Sequence, residues 1–209
     1  MWEAITSWDL GVLEWIQNTL RFAVGDVILP LFTNLGDAAV VIAIAVILCI
    51  PRRTRKWGFT ALAALIIGVL IVNAGIKPLV FRPRPYAEGV GGMWNETQIA
   101  EMFPLLRKIY HDGSFPSGHT LAVFEIATAV TMYSRKAGIP ALAVAALIAF
   151  SRLYLYVHYP TDVLVGMVLG IGFGILAWWL LERFLFPKIT VVTDFSIAEW
   201  WKKRKKNKG

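Results

Sequence analysis

Long apolar segments dominate this chain and predict a bundle of membrane helices. Each approaches the roughly 20 apolar residues that a helix needs to cross a bilayer, and they cover residues 27–50, 58–76, 117–133, 139–156 and 163–181. Pro30, Gly36 and Asp37 interrupt the first segment, which predicts a broken or tilted helix there. Residues 8–24 mix apolar and charged side chains, and we expect an interfacial helix or a sixth span.

The fold class predicted is therefore all-α: a polytopic membrane helix bundle with five to six transmembrane helices and an interfacial N-terminal helix. A hydrophobic fraction of 57%, a charged fraction of 17% and a mean hydropathy of +0.60 exclude an ordinary soluble domain. We expect residues 1–188 to form one transmembrane domain and 189–209 to form a basic cytoplasmic tail. Residues 77–116 are the expected outer loop. Its apolar spacing over 96–110 predicts either a packed surface helix or a lid that admits lipid.

Basic side chains predict the orientation of the chain. They cluster at 52–56, at 135–136 and from 183 into the tail, and basic loops remain in the cytoplasm. If all five segments span, the opposite side receives the polar motifs described next. The sequence therefore predicts a multi-pass protein of a bacterial plasma (cytoplasmic) membrane, with an extracytoplasmic site. The net charge of +7 is explained by this topology and by anionic headgroups at the tail, so no nucleic-acid partner is expected.

The first motif is a cationic turn at the end of the second apolar segment. Lys77 and Arg84 flank it, and prolines prevent the helix from continuing. Guanidinium groups bind phosphate oxygens in pairs, and lysine adds a point charge. Arg82, between them, is a candidate auxiliary ligand. The alternative is a set of cations that anchor the helix at the headgroups.

The second motif, Ser117-Gly118-His119, opens the third apolar segment. A serine N-cap and a glycine leave backbone amides accessible, so the helix N-terminus can bind an anion. His119 is then a candidate proton donor or acceptor near neutral pH. The alternative is an ordinary helix cap next to an interfacial histidine.

The third motif combines Arg152, His158 and Asp162 at the end of the fourth segment. An arginine at membrane depth requires a partner or a ligand. Pro160 favours a turn, with Asp162 capping the fifth helix. In a turn or in a helix, Asp162 can hold one ring nitrogen of His158 and make the other a better nucleophile.

Together the three motifs resemble the signature of the type 2 phosphatidic acid phosphatase family, which includes undecaprenyl-diphosphate phosphatases and is related to vanadium haloperoxidases. Every signature position between Lys77 and Asp162 is present. The resemblance implies that His158 is a nucleophile forming a phosphohistidine, that Asp162 orients it, and that His119 protonates the leaving group. It also implies a phosphate cradle made of Lys77, Arg84, Ser117, Gly118 and Arg152.

The resemblance thus implies an integral membrane lipid phosphatase that needs no metal or other cofactor. Its substrate would be a lipid phosphate or diphosphate of the undecaprenyl diphosphate, phosphatidylglycerophosphate or phosphatidate class, with prenyl diphosphate favoured. The motifs contain no clustered carboxylates of the kind that hold magnesium. A lipid phosphotransferase using the same phosphohistidine is the alternative, and a transporter is less favoured. The sequence does not predict the oligomeric state.

Glu125 lies outside the three motifs, about 12 Å deeper than Ser117 along the third helix. An ionised carboxylate at that depth is unfavourable without a partner. We expect it to face the bundle interior. A structural role is favoured over a proton relay or a polar contact with substrate.

Overall fold

The computed structural model describes residues 2–106 and 112–189, which form nine α-helices and no strand. The helices are α1 (Trp2–Thr19), α2 (Ala23–Thr33), α3 (Ala38–Cys49), α4 (Arg55–Gly68), α5 (Lys77–Leu79), α6 (Glu96–Met102), α7 (Gly118–Tyr133), α8 (Arg135–Tyr154) and α9 (Pro160–Leu180). A 3₁₀ turn, Asn34–Gly36, joins α2 to α3, and π-helical segments extend α4 (Val69–Ile76) and α9 (Leu181–Leu185). The predicted all-α bundle is confirmed.

Helix α7 lies at the centre of the bundle, against α4, α8 and α9. On α9 it meets three glycines spaced four residues apart, Gly166, Gly170 and Gly174. A Cβ atom at Gly166 would lie 2.8 Å from the carbonyl oxygen of Ser117, and one at Gly170 would lie 2.6 Å from that of Leu121. Small residues let membrane helices approach this closely. The N-terminal ends of α7 and α9, which carry two of the motifs, are therefore side by side.

Three helical segments among the described residues are long and apolar enough to cross a membrane, namely Arg55–Leu79, Arg135–Tyr154 and Pro160–Leu185. The pair Ala23–Gly36 and Ala38–Cys49 would be a fourth span, bent by 58°. This bend confirms the broken helix that Pro30, Gly36 and Asp37 predicted. Helix α7 has 16 residues and falls short of this length. All five predicted spans are thus helical, and three to four of them meet the criterion for crossing.

The N-terminal helix differs from its predicted bounds of 8–24. Helix α1 ends at Thr19, because Phe22 is extended (φ −150°, ψ 146°) and begins α2. Leu13 and Ile16 of α1 are buried against the bundle, whereas Trp15 is exposed. Helix α1 is therefore amphipathic, as expected, and covers one side of the motifs.

The outer loop packs over the same end of the bundle. Asn95 and Gln98 form a reciprocal capping box that starts α6. Ile99 and Phe103 are buried in a cluster with Leu13 of α1. These contacts favour the packed surface helix over the lid for residues 96–102. The rest of the predicted helical stretch includes residues 107–110, which lie outside the described part of the chain.

Two contacts join the basic segments at the opposite end. Lys56 Nζ lies 3.1 Å from a carboxylate oxygen of Glu182, at the end of α9. The hydroxyl groups of Thr60 and Tyr133 are 3.1 Å apart, which joins α4 to the end of α7. The loops rich in basic residues thus share one end of the bundle, and the motifs share the other. The predicted basic tail falls almost entirely on residues 190–209, outside the described residues.

Candidate active site

His158 lies in the turn between α8 and α9 and is only 2% exposed. Its Nδ1 atom is 3.4 Å from Oδ2 of Asp162. The same Oδ2 accepts a 3.0 Å hydrogen bond from the backbone N–H of Tyr159, and Pro160 is the first residue of α9. Asp162 therefore caps α9, as predicted, and also faces His158. The other ring nitrogen, Nε2, lies 3.2 Å from Nη1 of Arg84.

The turn that presents His158 is held from both sides. Tyr156 has a φ of 58°, a left-handed conformation that bulky residues rarely adopt. Its hydroxyl group accepts a 2.9 Å hydrogen bond from the backbone N–H of Met93 in the outer loop. Nη1 of Arg84 donates to the carbonyl oxygen of Val157 at 2.9 Å. The outer loop and the first motif thus fix the backbone around the histidine.

The environment of His158 favours the neutral imidazole. Burial lowers its pKa well below 6.5, and the charges of Arg84, Arg152 and Lys77 lower it further. If Nδ1 carries the proton and faces Asp162, the lone pair of Nε2 can accept from Arg84. The geometry therefore presents an unprotonated nitrogen to the cationic side of the site.

Lys77 and Arg84 converge on one carboxylate. Nζ of Lys77 is 2.8 Å from Oδ2 of Asp112, and Nη2 of Arg84 donates to Oδ1 of Asp112 at 2.6 Å. Burial raises the pKa of Asp112, but the hydrogen bonds and charges of the two cations outweigh it, so the pKa falls to about 2. The two cations are thus close enough to bind a single oxyanion together.

Arg82 does not join this pair, and its contacts argue against the predicted auxiliary role in phosphate binding. Its Nη1 donates to Oδ1 of Asp162 at 2.9 Å, and its Nη2 donates to Oδ2 of Asp9 at 2.6 Å. The guanidinium group also lies 3.7 Å from the centre of the Tyr159 ring. Both carboxylates are fully buried, so they require a cation. Arg82 therefore binds Oδ1 of Asp162, while Oδ2 of Asp162 faces His158.

Ser117 and Gly118 begin α7 beside these groups. Oγ of Ser117 accepts a 3.0 Å hydrogen bond from the hydroxyl group of Thr120. The backbone N–H of Ser117 donates to the carbonyl oxygen of Asp162 at 3.1 Å. The second bond ties the second motif to the third. A Cβ atom at Gly118 would meet nothing within 4 Å. The start of α7 is therefore open to an approaching group, as an anion site at a helix N-terminus requires.

His119 contacts a carboxylate from another part of the chain. Its Nε2 is 3.0 Å from Oδ1 of Asp37, which lies at the break between α2 and α3. Arg152 is fully buried on α8, and its Nη1 donates to the hydroxyl group of Thr33 on α2 at 2.7 Å. The broken helix therefore holds residues of both the second and the third motif.

Cavities of about 690 Å³ and 410 Å³ lie beside Arg82 at this end of the bundle, and one of about 250 Å³ reaches the site itself. Lys77, Gly118 and His119 line its upper part. Asn73 and Glu125 line it deeper, between α3, α4 and α7, together with apolar side chains. The site thus continues into a groove of mainly apolar character.

Three acidic residues of the site were not identified as such from sequence. Asp9 lies in the amphipathic first segment, and Asp112 lies in the long polar loop, where nothing distinguishes it from a solvated carboxylate. Asp37 carried a signal, since a carboxylate inside an apolar segment points to a partner. From the sequence alone, Asp37 is expected only to break the helix.

Similarity to known proteins agrees with this geometry. A model of the PAP2 superfamily matches residues 57–185, which is more than half of the chain. The chain belongs to the PAP2 superfamily. The matched residues contain all three motifs. The predicted resemblance is thereby confirmed.

Relatives in the PAP2 superfamily come from several organisms. The chain is 32% identical to an undecaprenyl-diphosphatase of Sulfolobus acidocaldarius over 65% of this chain and 60% of that protein. It is 34% identical to the undecaprenyl-diphosphatase BcrC of Bacillus subtilis over 57% of this chain and 53% of that protein. The chain thus spans somewhat more than half the length of these relatives. The crystal structure of Aquifex aeolicus LpxE is similar with a TM-score of 0.66 and 29% identity, over 80% of this chain and 93% of that one.

Proposed function

We propose that this protein is an integral membrane lipid phosphatase that works through a phosphohistidine and releases inorganic phosphate. The observation that carries the proposal is the position of His158. Its Nε2 lies 3.2 Å from Arg84, and Arg84 and Lys77 together hold the oxyanion of Asp112. A phosphate gripped by the same two cations would present its phosphorus to that nitrogen.

In the first step, Nε2 of His158 attacks phosphorus, and the bond from phosphorus to the leaving oxygen breaks. With its proton on Nδ1, which faces Asp162 at 3.4 Å, His158 has the lone pair of Nε2 free to form the new bond. His119 gives a proton to the leaving oxygen, which departs as an alcohol or a lipid phosphate. The product is a phosphohistidine.

In the second step, the oxygen of a water molecule attacks phosphorus. The bond between phosphorus and Nε2 breaks, and the proton lost by water passes to His119, which is restored as an acid. Inorganic phosphate leaves. A lipid acceptor in place of water would make the enzyme a phosphotransferase, so the two activities differ only in this step.

Charge stabilisation supports this chemistry. Phosphoryl transfer spreads negative charge over three equatorial oxygens. Lys77, Arg84 and Arg152, with the amides at the start of α7, would stabilise that charge. No group of three or more potential metal ligands occurs in residues 2–106 and 112–189. We therefore propose that protein cations, without a metal ion, stabilise the phosphoryl group during its transfer.

We propose a prenyl diphosphate as the favoured substrate class. Two relatives are named as undecaprenyl-diphosphatases. The groove of about 250 Å³ below His119 has the apolar lining that the start of a lipid chain requires. The motifs lie at the end of the bundle opposite the basic loops, which favours a site on the extracytoplasmic side of the plasma membrane. The anionic headgroups of the bilayer would contact those basic loops and the tail.

Phosphate release from a panel of lipids tests the proposal. Purified protein is given undecaprenyl diphosphate, phosphatidylglycerophosphate or phosphatidate in detergent, with excess chelator and without an added acceptor. We expect release of inorganic phosphate, fastest from the prenyl diphosphate, and inhibition by vanadate. Phosphate transfer that occurs only with an added alcohol would identify a phosphotransferase. Loss of activity with chelator and recovery with magnesium would contradict the metal-free mechanism.

A further inference from the structure

Asp37 occupies a position where its side chain would ordinarily cap a helix. It is the N-cap residue of α3, and aspartate at an N-cap usually accepts from the first amides of its own helix. Here its side chain makes no such bond. Its Oδ1 instead lies 3.0 Å from Nε2 of His119, which is 82 residues further along the chain.

The break between α2 and α3 holds this contact in place. The backbone N–H of Asp37 donates to the carbonyl oxygen of Asn34 at 3.1 Å, which closes the 3₁₀ turn before α3. A Cβ atom at Gly36 would lie 2.9 Å from Cδ2 of His119. The imidazole of His119 therefore packs against the backbone of Gly36 and forms a hydrogen bond with the side chain of Asp37.

Burial lowers the pKa of His119 well below 6.5 even with Asp37 in contact, and nearby charges lower it further. Charged or titratable groups that act on it come from the first motif, from α8 and from the turn before α9, and they are Lys77, Arg84, Arg152 and His158. A general acid must carry a proton before it can give one. Asp37 supplies a negative charge in direct contact with the ring.

We propose that Asp37 is a positioning residue that orients His119 and stabilises its protonated form as the acid for the leaving group. This inference rests on the proposed function, in which His119 protonates the leaving oxygen. Nε2–H of His119 donates to Asp37, and the proton on Nδ1 is the one transferred. The site then contains two carboxylate–histidine pairs with opposite tasks, because Asp162 orients a nucleophile whose Nε2 must be unprotonated.

The leaving group provides the test. The leaving oxygen of an alkyl phosphate needs a proton, because an alkoxide is a poor leaving group. The leaving group of an aryl phosphate such as p-nitrophenyl phosphate is an acidic phenol, which departs as the phenolate without a proton. We expect Asp37→Asn to lower kcat on dodecyl phosphate by about tenfold to a hundredfold, below the 10²–10⁴-fold typical of a general acid itself. The effect on p-nitrophenyl phosphate should be at most a few-fold. On a His119→Ala background, Asp37→Asn should have no further effect.

Two variants serve as controls for structure. Asp37→Ser keeps an N-cap residue and removes the carboxylate, so it should reproduce the leaving-group effect with an unchanged Tm. Asp26→Asn removes another carboxylate of the broken helix, one that pairs with Arg21. It should affect both substrates equally or not at all.

Three results would overturn the inference. Equal losses on the alkyl and aryl substrates in Asp37→Ser would indicate a structural role only. Unchanged kcat in both Asp37 variants, while His119→Ala retains its leaving-group effect, would leave the proposed function standing and remove Asp37 from it. If His119→Ala itself shows no dependence on the leaving group, the acid assignment of the proposed function fails, and the inference fails with it.

Discussion

Asp112 accepts a 2.6 Å hydrogen bond from Arg84 while its second carboxylate oxygen lies 2.8 Å from Nζ of Lys77. Its side chain is 51% exposed, whereas that of Arg84 is only 4% exposed. The carboxylate therefore reaches in from the outer loop to two cations that the family signature assigns to phosphate. A substrate phosphate that uses both cations has to replace it.

Removing this carboxylate should strengthen phosphate binding. Asp112→Asn keeps the shape of the side chain and removes the competing charge. Because the pair is partly exposed, we expect the inhibition constants of phosphate and vanadate to fall by roughly fivefold. Competition assays against lipid hydrolysis measure this directly.

Glu88→Gln is the matched control for Asp112→Asn, since Glu88 is an exposed carboxylate of the same loop. It should leave both inhibition constants unchanged. Weaker phosphate binding in Asp112→Asn would mean that Asp112 positions the two cations and does not compete with the substrate.

His158 should be indispensable for turnover. His158→Ala is expected to lower kcat by roughly a thousandfold or more, because the nucleophile is lost and other groups of the site cannot replace it. Labelled enzyme quenched in base should contain a phosphoenzyme in the wild type and none in the variant. This phosphoenzyme should be stable in base and labile in acid, as a phosphohistidine is. A normal melting curve of the variant establishes that the fold is intact. A labelled intermediate in His158→Ala would refute the assignment.

The charge state of His158 gives a pH dependence with a defined sign. Its pKa is lowered in the folded protein, so below pH 6.5 the unfolded chain binds a proton that the folded protein does not. The free energy of unfolding should therefore decrease as pH falls below 6.5, by at most about 1.4 kcal/mol per pH unit from this group. The decrease in Tm between pH 7.5 and pH 5.5 should be larger in the wild type than in His158→Gln. Equal decreases would indicate that His158 titrates normally.

Much of the fold and the site follows from local pattern. Apolar segments of near-membrane length gave the helices, and Pro30 with Gly36 and Asp37 gave the break of 58°. His158 and Asp162 are close in sequence, so their facing side chains could be expected from spacing alone.

The acidic partners of the site could not be predicted in the same way. Asp37 reaches His119 across 82 residues, and Asp9 reaches Arg82 across 73. Such pairs depend on how the helices pack, which periodicity does not specify. The position of Arg82 shows the consequence, since this cation of the first motif binds two buried carboxylates that only the folded chain brings together.

Orientation in the membrane can be tested with single cysteines. On a Cys49→Ser background, Glu88→Cys lies in the exposed outer loop and Arg53→Cys lies in the exposed basic loop. If basic loops are cytoplasmic, an impermeant maleimide added to intact cells should label only the cysteine at position 88. Permeabilised cells should be labelled at both positions. Labelling of only position 53 in intact cells would place the site in the cytoplasm.

Glu125 is buried in the bundle, 1% exposed, at the deep end of the groove below His119. Its Oε1 has no hydrogen-bond partner among the described residues and lies against Gly68 of α4, where a Cβ atom would collide with it. The carboxyl group thus fills the space that this glycine leaves between α4 and α7.

If that role is structural, Gly68→Ala should destabilise the protein by about 1–3 kcal/mol, because the added methyl group overpacks the contact. Glu125→Ala should reverse part of the loss, since it removes the colliding atoms. Glu125→Gln has nearly the same shape as glutamate, so it should keep both Tm and kcat close to wild type. Thermal melting in detergent and lipid phosphate release measure the two properties separately. A Glu125→Gln variant that melts normally but turns over slowly would show that the carboxyl group takes part in catalysis, through a proton or a contact with the lipid in the groove.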